Sequence, residues 1–361
     1  MQTLETILDI VRQTPSADNM QPWLFRIIDE NSLEVICDKQ KSVVTPLYNI
    51  GYFADYIALG MLLKNFEIVF RQYGITHEVS LKEDSKEWKA IIRIKNLNSV
   101  SFSSENQSRF AALTRRYTDR RCYQTQPIQE DIRLALRALA FQHGAKLFWK
   151  EGQTIRTNYA TTLSLNDLLL WTNGHMRDNL IRMLRLDGNA YDDGLPLDSL
   201  GMKSSAEKTI FKKMIRLAQR YPWIWNLVAQ GSRANTKKVI TNSGAICLLT
   251  LPVNIAPRNS MEAYIEGGKI FQELWLDFTH HGISLQPMFA AIGLILNEEE
   301  GLGGLTPKEA VTRSKITTFL RARFPSIKSD TLIALFRVGY PQTEPLSPVT
   351  KKAVSSLLIK H

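Results

Sequence analysis

Hydrophobic positions along this chain switch repeatedly between a helical and a strand period, and the switch points mark its elements. Leu4, Ile7, Leu8 and Val11 fall on one face of a short amphipathic helix. Trp23-Leu24-Phe25-Arg26-Ile27-Ile28 then reads as a strand. Further strand candidates are Leu33–Cys37, Glu78–Leu81, Lys89–Lys95, Ala145–Lys150, Gly244–Leu251 and Thr331–Gly339. Long apolar helices are predicted over Asp55–Ile75 and Ala263–Ile283. Each stops at a glycine, Gly74 and Gly282, the residue that accepts the positive φ of a helix C-terminus. Helices interleaved with hairpin-like strand pairs predict the α+β class.

The two long helices also resemble each other. At an offset of 208 residues, Tyr56, Ile57, Gly60, Phe70, Gly74 and Ile75 coincide with Tyr264, Ile265, Gly268, Phe278, Gly282 and Ile283. Two core helices can share such a pattern by chance. The other reading is two fused copies of one unit, which would make a single-chain pseudo-dimer about a quasi-two-fold axis. An early glycine in each helix lets another backbone approach closely. Residues 151–240 have no counterpart in the first half. Within them Gly174–Gly201 is rich in Asp, Asn and Gly, and Lys203–Val228 mixes apolar and basic positions, including Trp223 and Trp225. That segment reads as an inserted helical excursion: a helix packed on the core, a lid, or a membrane-surface helix.

Composition narrows the class without naming a function. The chain has 361 residues, 44% hydrophobic, with a formal charge of +10, long enough for two or three domain-sized units. The basic residues are spread, with denser patches at 115–121 and 203–220, which suits anionic ligands. No zinc-finger or RNA-binding signature accompanies them, so nucleic acid is not expected as a partner. Cys37, Cys122 and Cys247 are far apart and odd in number, which points to a reduced, cytoplasmic setting. No signal peptide is expected, and stretches such as Gly244–Val253 and Pro287–Leu296 are too short to span a bilayer.

Two clusters carry the candidate chemistry. Pro15-Ser16-Ala17-Asp18-Asn19-Met20-Gln21-Pro22-Trp23 lies at a helix-to-strand corner. It reads as a helix stop, or as a rigid set of hydroxyl and amide groups for a polar flat-ring ligand. Arg115-Arg116-Tyr117-Thr118-Asp119-Arg120-Arg121 precedes a helix that begins at Glu130. It reads as a solvated basic turn or as a phosphate clamp, since guanidinium offers a planar fork to oxyanions. No metal site is expected: His280 and His281 are adjacent and point to different faces. Asp192-Asp193 and Glu298-Glu299-Glu300 read as solvated acidic runs, and Gly301-Leu302-Gly303-Gly304 lacks the dinucleotide spacing.

Pro15-Ser16-Ala17-x-Asn19-x-Gln21-Pro22-Trp23 resembles the Pro-Ser-x-x-Asn-x-Gln-Pro-Trp motif of the nitroreductase family, and Arg116-x-Thr118-x-Arg120 resembles its Arg-x-Ser-x-Arg/Lys motif. The paired Tyr-Ile-x-x-Gly helices are similar to that family's core helix. The Arg-rich run and Phe336-Arg337-Val338-Gly339-Tyr340-Pro341 resemble the double-length branch typified by the mycobacterial Acg proteins. The resemblance implies FMN as cofactor, and two fused halves, 1–105 and 106–361, with a lid-like insertion at about 174–235. It implies a phosphate held by Arg116, Thr118 and Arg120 with Arg115 or Arg121 assisting. It further implies that Ser16 and Asn19 hydrogen-bond the flavin, supported by Gln21, that Gln286, Pro287 and Met288 face it, and that Lys351 and Lys352 stand where the family has a C-terminal basic pair. One corner and one arginine motif per chain imply one FMN site per chain, built across both halves, and a degenerate mirror site.

No catalytic acid–base pair is expected, because the flavin carries the hydride. The resemblance implies NAD(P)H-dependent reduction of a nitro compound, quinone or related acceptor. Its alternatives are an FMN-binding protein whose lid blocks turnover, and a modification enzyme acting beside a partner protein. The expected assembly is a monomeric pseudo-dimer or a homodimer, without stable membrane insertion.

Overall fold

A computed structural model of the chain describes residues 4–39, 42, 47, 49–83, 87–97, 104–186, 191–202, 204–344 and 348–359. Part of the Gly174–Gly201 stretch (187–190) and Lys203 lie outside these. Helix α1 (Leu4–Val11) leads into β1 (Trp23–Asp29) and β2 (Ser32–Asp38), followed by the long helix α2 (Phe53–Gln72), β3 (Ile75–Glu83) and β4 (Glu87–Leu97). These strands form one antiparallel sheet in the order β1-β2-β4-β3. After α3 (Ser104–Leu113) and α4 (Glu130–Gln142), a second antiparallel sheet is assembled in the order β5-β8-β10-β9. Its strands are β5 (Lys146–Glu151), β8 (Ala245–Leu251), β9 (Ser284–Pro287) and β10 (Thr331–Gly339). Every residue of β8 and β10 is buried, as their unbroken apolar sequences require.

Between the sheets lie α2 and α10 (Met261–His280), each twenty residues long. Ser260 starts α10 by accepting the Ala263 N–H through its hydroxyl. The two helices touch backbone to backbone. A Cβ placed on Gly60 would lie 2.0 Å from the Ile265 carbonyl oxygen, and one on Gly268 would lie 2.2 Å from that of Ile57. The contact is reciprocal, and the 208-residue offset relates both members of each pair. Beyond it the crossing is tied by polar pairs: Gln272 Nε2 donates to Asn65 Oδ1 at 2.7 Å, and Lys64 Nζ lies 3.1 Å from Glu273 Oε2. Helix α3 lies across both, its Arg109 paired with Glu273 at 2.5 Å and Asp277 at 2.8 Å. Residues 105 and 106 both lie in α3.

The chain between β5 and β8 builds α5 (Gln153–Leu163), α6 (Leu165–Thr172), α7 (Gly174–Met183), the short parallel pair β6 (Leu184–Arg185) and β7 (Leu195–Pro196), α8 (Ser205–Arg220) and α9 (Ile224–Thr241). Part of this excursion has its own small core around Trp171, Met183, Ile215, Ala218 and Trp225, with the two indoles stacked at 5.8 Å. Helices α11 (Phe289–Glu299) and α12 (Pro307–Arg323) separate β9 from β10, and α12 opens on a capping box of Thr306 and Glu309. The last described segment, with α13 (Val354–Leu357), returns to the first sheet: Leu358 bridges Phe25, and Ile359 N donates to the Phe25 carbonyl at 2.8 Å.

The crossing sets a stability test. Gly60→Ala and Gly268→Ala each force a methyl onto a backbone carbonyl, so each is expected to cost about 1–3 kcal/mol in urea unfolding. Gly231→Ala in α9, where a Cβ meets nothing within 4 Å, is expected to be neutral or to stabilise by about 0.5–1 kcal/mol. Equal effects at all three positions would refute the close-contact account.

Candidate functional site

The corner after α1 is built from strained backbone. Asp18, Asn19 and Gln21 hold φ of 48°, 58° and 50°, the left-handed region that side chains disfavour. Such residues persist where their surroundings over-determine them, and here a dense set of bonds does so. Ser16 Oγ accepts the Gln21 N–H at 2.9 Å. The Gln21 amide donates to the carbonyls of Asn19 (3.0 Å) and Asp192 (2.8 Å) and accepts from the Lys352 N–H (2.9 Å). Asn19 donates to the Thr350 carbonyl at 3.1 Å and accepts at Oδ1 from Lys351 Nζ at 2.6 Å. The same ammonium donates to the Thr14 carbonyl at 3.0 Å, and Lys352 Nζ donates to that of Met20 at 3.2 Å. The amides of Asn19 and Gln21 thus clamp the C-terminal segment onto the corner.

The arginine-rich loop is held from below. Thr118 bridges to Leu285 of β9, and the Asp119 N–H donates to the Leu285 carbonyl at 3.2 Å. Asp119 is fully buried and accepts from Arg121 and from the Ser284 hydroxyl at 3.0 Å. Burial pushes its carboxyl up, but the bonds from Arg121 outweigh this and hold it below its ordinary value. Arg337 of β10, itself fully buried, donates to the Asp119 and Arg121 carbonyls and to Gln286 Oε1 at 2.6 Å. The Gln286 carbonyl is therefore turned to the sheet.

Above this loop is a cavity of about 330 Å³. It lies at the lower end of the range for small-molecule sites. Ser16 and Asp18 of the corner, Thr118 and Arg120 of the loop, and Pro287 and Met288 line it together. Phe53, Asp55 and Met61 of α2 and Trp275 of α10 supply another wall. Leu170, Asn179, Leu180 and Met183, from α6 and α7, supply a third. Of the residues the sequence singles out, Ser16, Thr118, Arg120, Pro287 and Met288 meet here. Asn19, Gln21, Gln286, Lys351, Lys352, Arg115 and Arg116 are outside the lining. Arg115 is exposed and bonds the Ala111 carbonyl. Arg116 is buried behind the wall, its guanidinium 4.7 Å from the centre of the Trp275 ring.

Asp18, Asp55, Trp275 and Asn179 were not legible as lining residues. Asp55 stands in the first turn of a core helix, and nothing in the local sequence marks Asn179. Asp18 is open to the cavity yet ringed by protein; burial pushes its carboxyl up and Arg120 opposes the shift. Burial also pushes Asp55 up, against hydrogen bonds from Ser42 and Asn49.

Charge is the site's main chemical statement. Arg116, Arg120 and Lys351 have no carboxylate within 4.0 Å among the described residues. Among the described residues the Arg116 guanidinium makes one hydrogen bond, to the Gln13 carbonyl at 3.0 Å, and its buried Nε has no partner. Burial brings its pKa down to about 9. Burial, then Arg116 and Arg12, hold Lys351 well below its ordinary value. Arg120 donates to the Ser199 carbonyl at 2.8 Å and is also lowered by burial. Asp18 and Asp119 offset part of the Arg120 charge, whereas Arg116 and Lys351 are buried without such a neighbour, and a charge of that kind is costly unless an anion joins it.

Comparison with protein-family models and with curated sequences gives no match. Among solved structures, a nitroreductase with bound FMN from Desulfitobacterium hafniense DCB-2 aligns over 67% of this chain and 92% of its own, at 10% identity and a TM-score of 0.34. The FMN- and NADPH-dependent nitroreductase NfnB of Sphigopyxis sp. strain HMH covers 70% of this chain and 98% of its own, at 12% identity and a TM-score of 0.38. A candidate nitroreductase from Anabaena variabilis ATCC 29413 covers 86% of this chain and 69% of its own, at 12% identity and a TM-score of 0.43.

The buried cations generate two expectations. Arg116→Met removes an uncompensated charge, so the thermal midpoint of the ligand-free protein should hold or rise. Its stabilisation by inorganic phosphate should fall; undiminished stabilisation would contradict the charge reading. Lys351 has a lowered folded pKa, so between that value and the unfolded one the unfolded chain binds the extra proton. Stability should then rise with pH through that window, up to about pH 10, and the rise should flatten in Lys351→Met. Urea unfolding across pH measures both.

Proposed function

We propose that the chain is an FMN-dependent oxidoreductase of nitroreductase type, built as a pseudo-dimer of two fused units. The observation that carries this reading is that the corner at Pro15–Met20 and the Thr118–Arg120 loop, which stand about a hundred residues apart, line one cavity, with the buried cations Arg116 and Lys351 bonded to the backbone that leads into the corner. The reciprocal contact of Gly60 and Gly268 supports the duplication, and a four-stranded antiparallel sheet on each side agrees with it.

The residues fit the group. Thr118 and Arg120 line the cavity and would meet the phosphate, and the positive field of the buried Arg116 and Lys351 behind the corner would favour a dianion there. Ser16 and the strained backbone of the corner would hold the polar part of the ring system, and Phe53, Met61, Met288 and Trp275 offer apolar surface to its flat part. FMN, when bound, supplies hydride chemistry. This chain's residues would orient it and exclude water from it, while Asp18, beside Arg120, would have to move or take up a proton as the phosphate enters.

A second reading rests on the third wall. Leu170, Asn179, Leu180 and Met183 belong to the excursion, and Leu170, Leu180 and Met183 cover the cavity with apolar side chains while Asn179 adds an amide. If that wall stays closed, the chain binds FMN and turns over little.

Two measurements test these readings. Flavin titration should give one FMN per chain, and Arg116→Ala combined with Arg120→Ala should strip the yellow colour; two FMN per chain or retained colour would refute the cross-half site. Anaerobic mixing with NADPH separates the readings. Fast bleaching supports the reductase, and bleaching that appears only in Leu180→Gly supports the closed wall.

A further inference from the structure

The outer face of α8 and the turn into α9 are an unpartnered surface of unusual composition. Ile215 and Ala218 point into the small core and are fully buried. One helical face away, Ile210 is 63% exposed and Leu217 45%. These are separated by two turns of helix, and Met214 stands between them. Past the turn at Pro222, Trp223 is 65% exposed and Leu227, one helical turn on, 54%. Beside the apolar stripe stand the exposed Lys213, Arg216 and Arg220. Across residues 205–241 the single acidic side chain is Glu207, held at the start of α8 in a capping box with Ser204. Within α8 and α9 the exposed apolar surface is thus edged by Lys and Arg, while other elements bring Asp198, paired with Lys208, and Asp178, near Gln219 and Pro222.

We propose that the α8–α9 turn docks this protein on an anionic bilayer surface, lying in the headgroup layer without crossing it. Large aliphatic side chains, an exposed indole and a flanking row of Lys and Arg are what an interfacial helix needs. The basic row is attracted to anionic lipid, while the apolar stripe leaves water for the acyl boundary. No helix among the described residues is long and apolar enough to span a membrane, so the contact is peripheral. The phosphates of a nucleic acid would satisfy the cations but leave Ile210 and Leu217 in water. A second copy of this face would bring like charges together. Of these three, the bilayer satisfies both the charge and the apolar stripe. The docking surface is independent of the flavin reading, since none of these side chains lines the cavity.

Vesicle co-sedimentation with the full chain tests this. The probes are phosphatidylcholine vesicles and vesicles containing phosphatidylglycerol, at low and high salt. The protein should sediment with the anionic vesicles and stay in solution with the neutral ones. Two variants separate the contributions, each checked for cooperative thermal unfolding: Lys213→Glu with Arg216→Glu and Arg220→Glu, and Trp223→Ser with Leu227→Ser. Each should weaken partitioning at least about tenfold, and the blue shift of tryptophan emission on anionic vesicles should shrink in Trp223→Ser. Failure to bind anionic vesicles at low salt would overturn the proposal, as would partitioning untouched by Trp223→Ser with Leu227→Ser. Tight binding of a single-stranded oligonucleotide that only the charge reversals abolish, without vesicle binding, would reassign the surface to nucleic acid.

Discussion

Everything in this molecule is arranged around the place where α2 and α10 touch without side chains between them. Gly60 meets the Ile265 carbonyl and Gly268 meets that of Ile57, so the two helix axes approach as closely as backbones allow. That closeness makes the neighbouring contacts possible. Gln272 reaches Asn65, and Asn65 in turn donates to the Thr14 hydroxyl at 2.6 Å, so a buried chain of polar groups runs from the helix crossing to the strained corner. Such chains specify one arrangement because leaving any member unbonded is expensive. Trp275 lies two turns beyond Gly268, and its ring separates the Arg116 guanidinium from the cavity. The crossing therefore positions both the corner and the cationic side of the site.

The site is costly to hold without an anion. Left-handed backbone at Asp18, Asn19 and Gln21, an unpartnered Arg116 Nε and a buried Lys351 ammonium each oppose folding. The C-terminal segment offsets part of this. Thr350 and Lys351 bond the two ends of the Asn19 amide, the Lys352 N–H donates to the Gln21 amide oxygen, and Arg12 donates to the Lys351 and Lys352 carbonyls at 3.1 Å. The strained geometry of the corner is thus held by bonds from the 350–352 segment. A bound anion would relieve the remaining charge, which couples ligand binding to stability.

Much of the fold was legible because it rests on local periodicity. Thr331–Gly339 is a strand over the predicted range, and Leu33–Cys37 and Ala145–Lys150 differ from the observed strands by one residue at each end. The basic segment from Lys203 divides at Pro222 into α8 and α9, since proline and the exposed Tyr221 interrupt the helical run. The site was legible only in part. Ser16, Thr118 and Arg120 could be singled out from residue type and spacing, whereas the same types at Asn19, Gln21 and Gln286 serve the chain's own backbone and sheet. An amide is equally suited to a ligand and to a carbonyl, and its sequence neighbours do not say which one it meets.

The sequence by itself determined the α+β class, most element positions, the shared pattern of the two long helices and the two polar clusters, because periodicity, glycine placement and charge are properties of short windows. Only the tertiary structure decided that the two clusters share a cavity, that α6 and α7 wall it, and that Lys351 is buried against Asn19. These are contacts between residues tens to hundreds of positions apart. Their existence depends on how closely two backbones cross at Gly60 and Gly268, a distance that only packing of the whole chain sets.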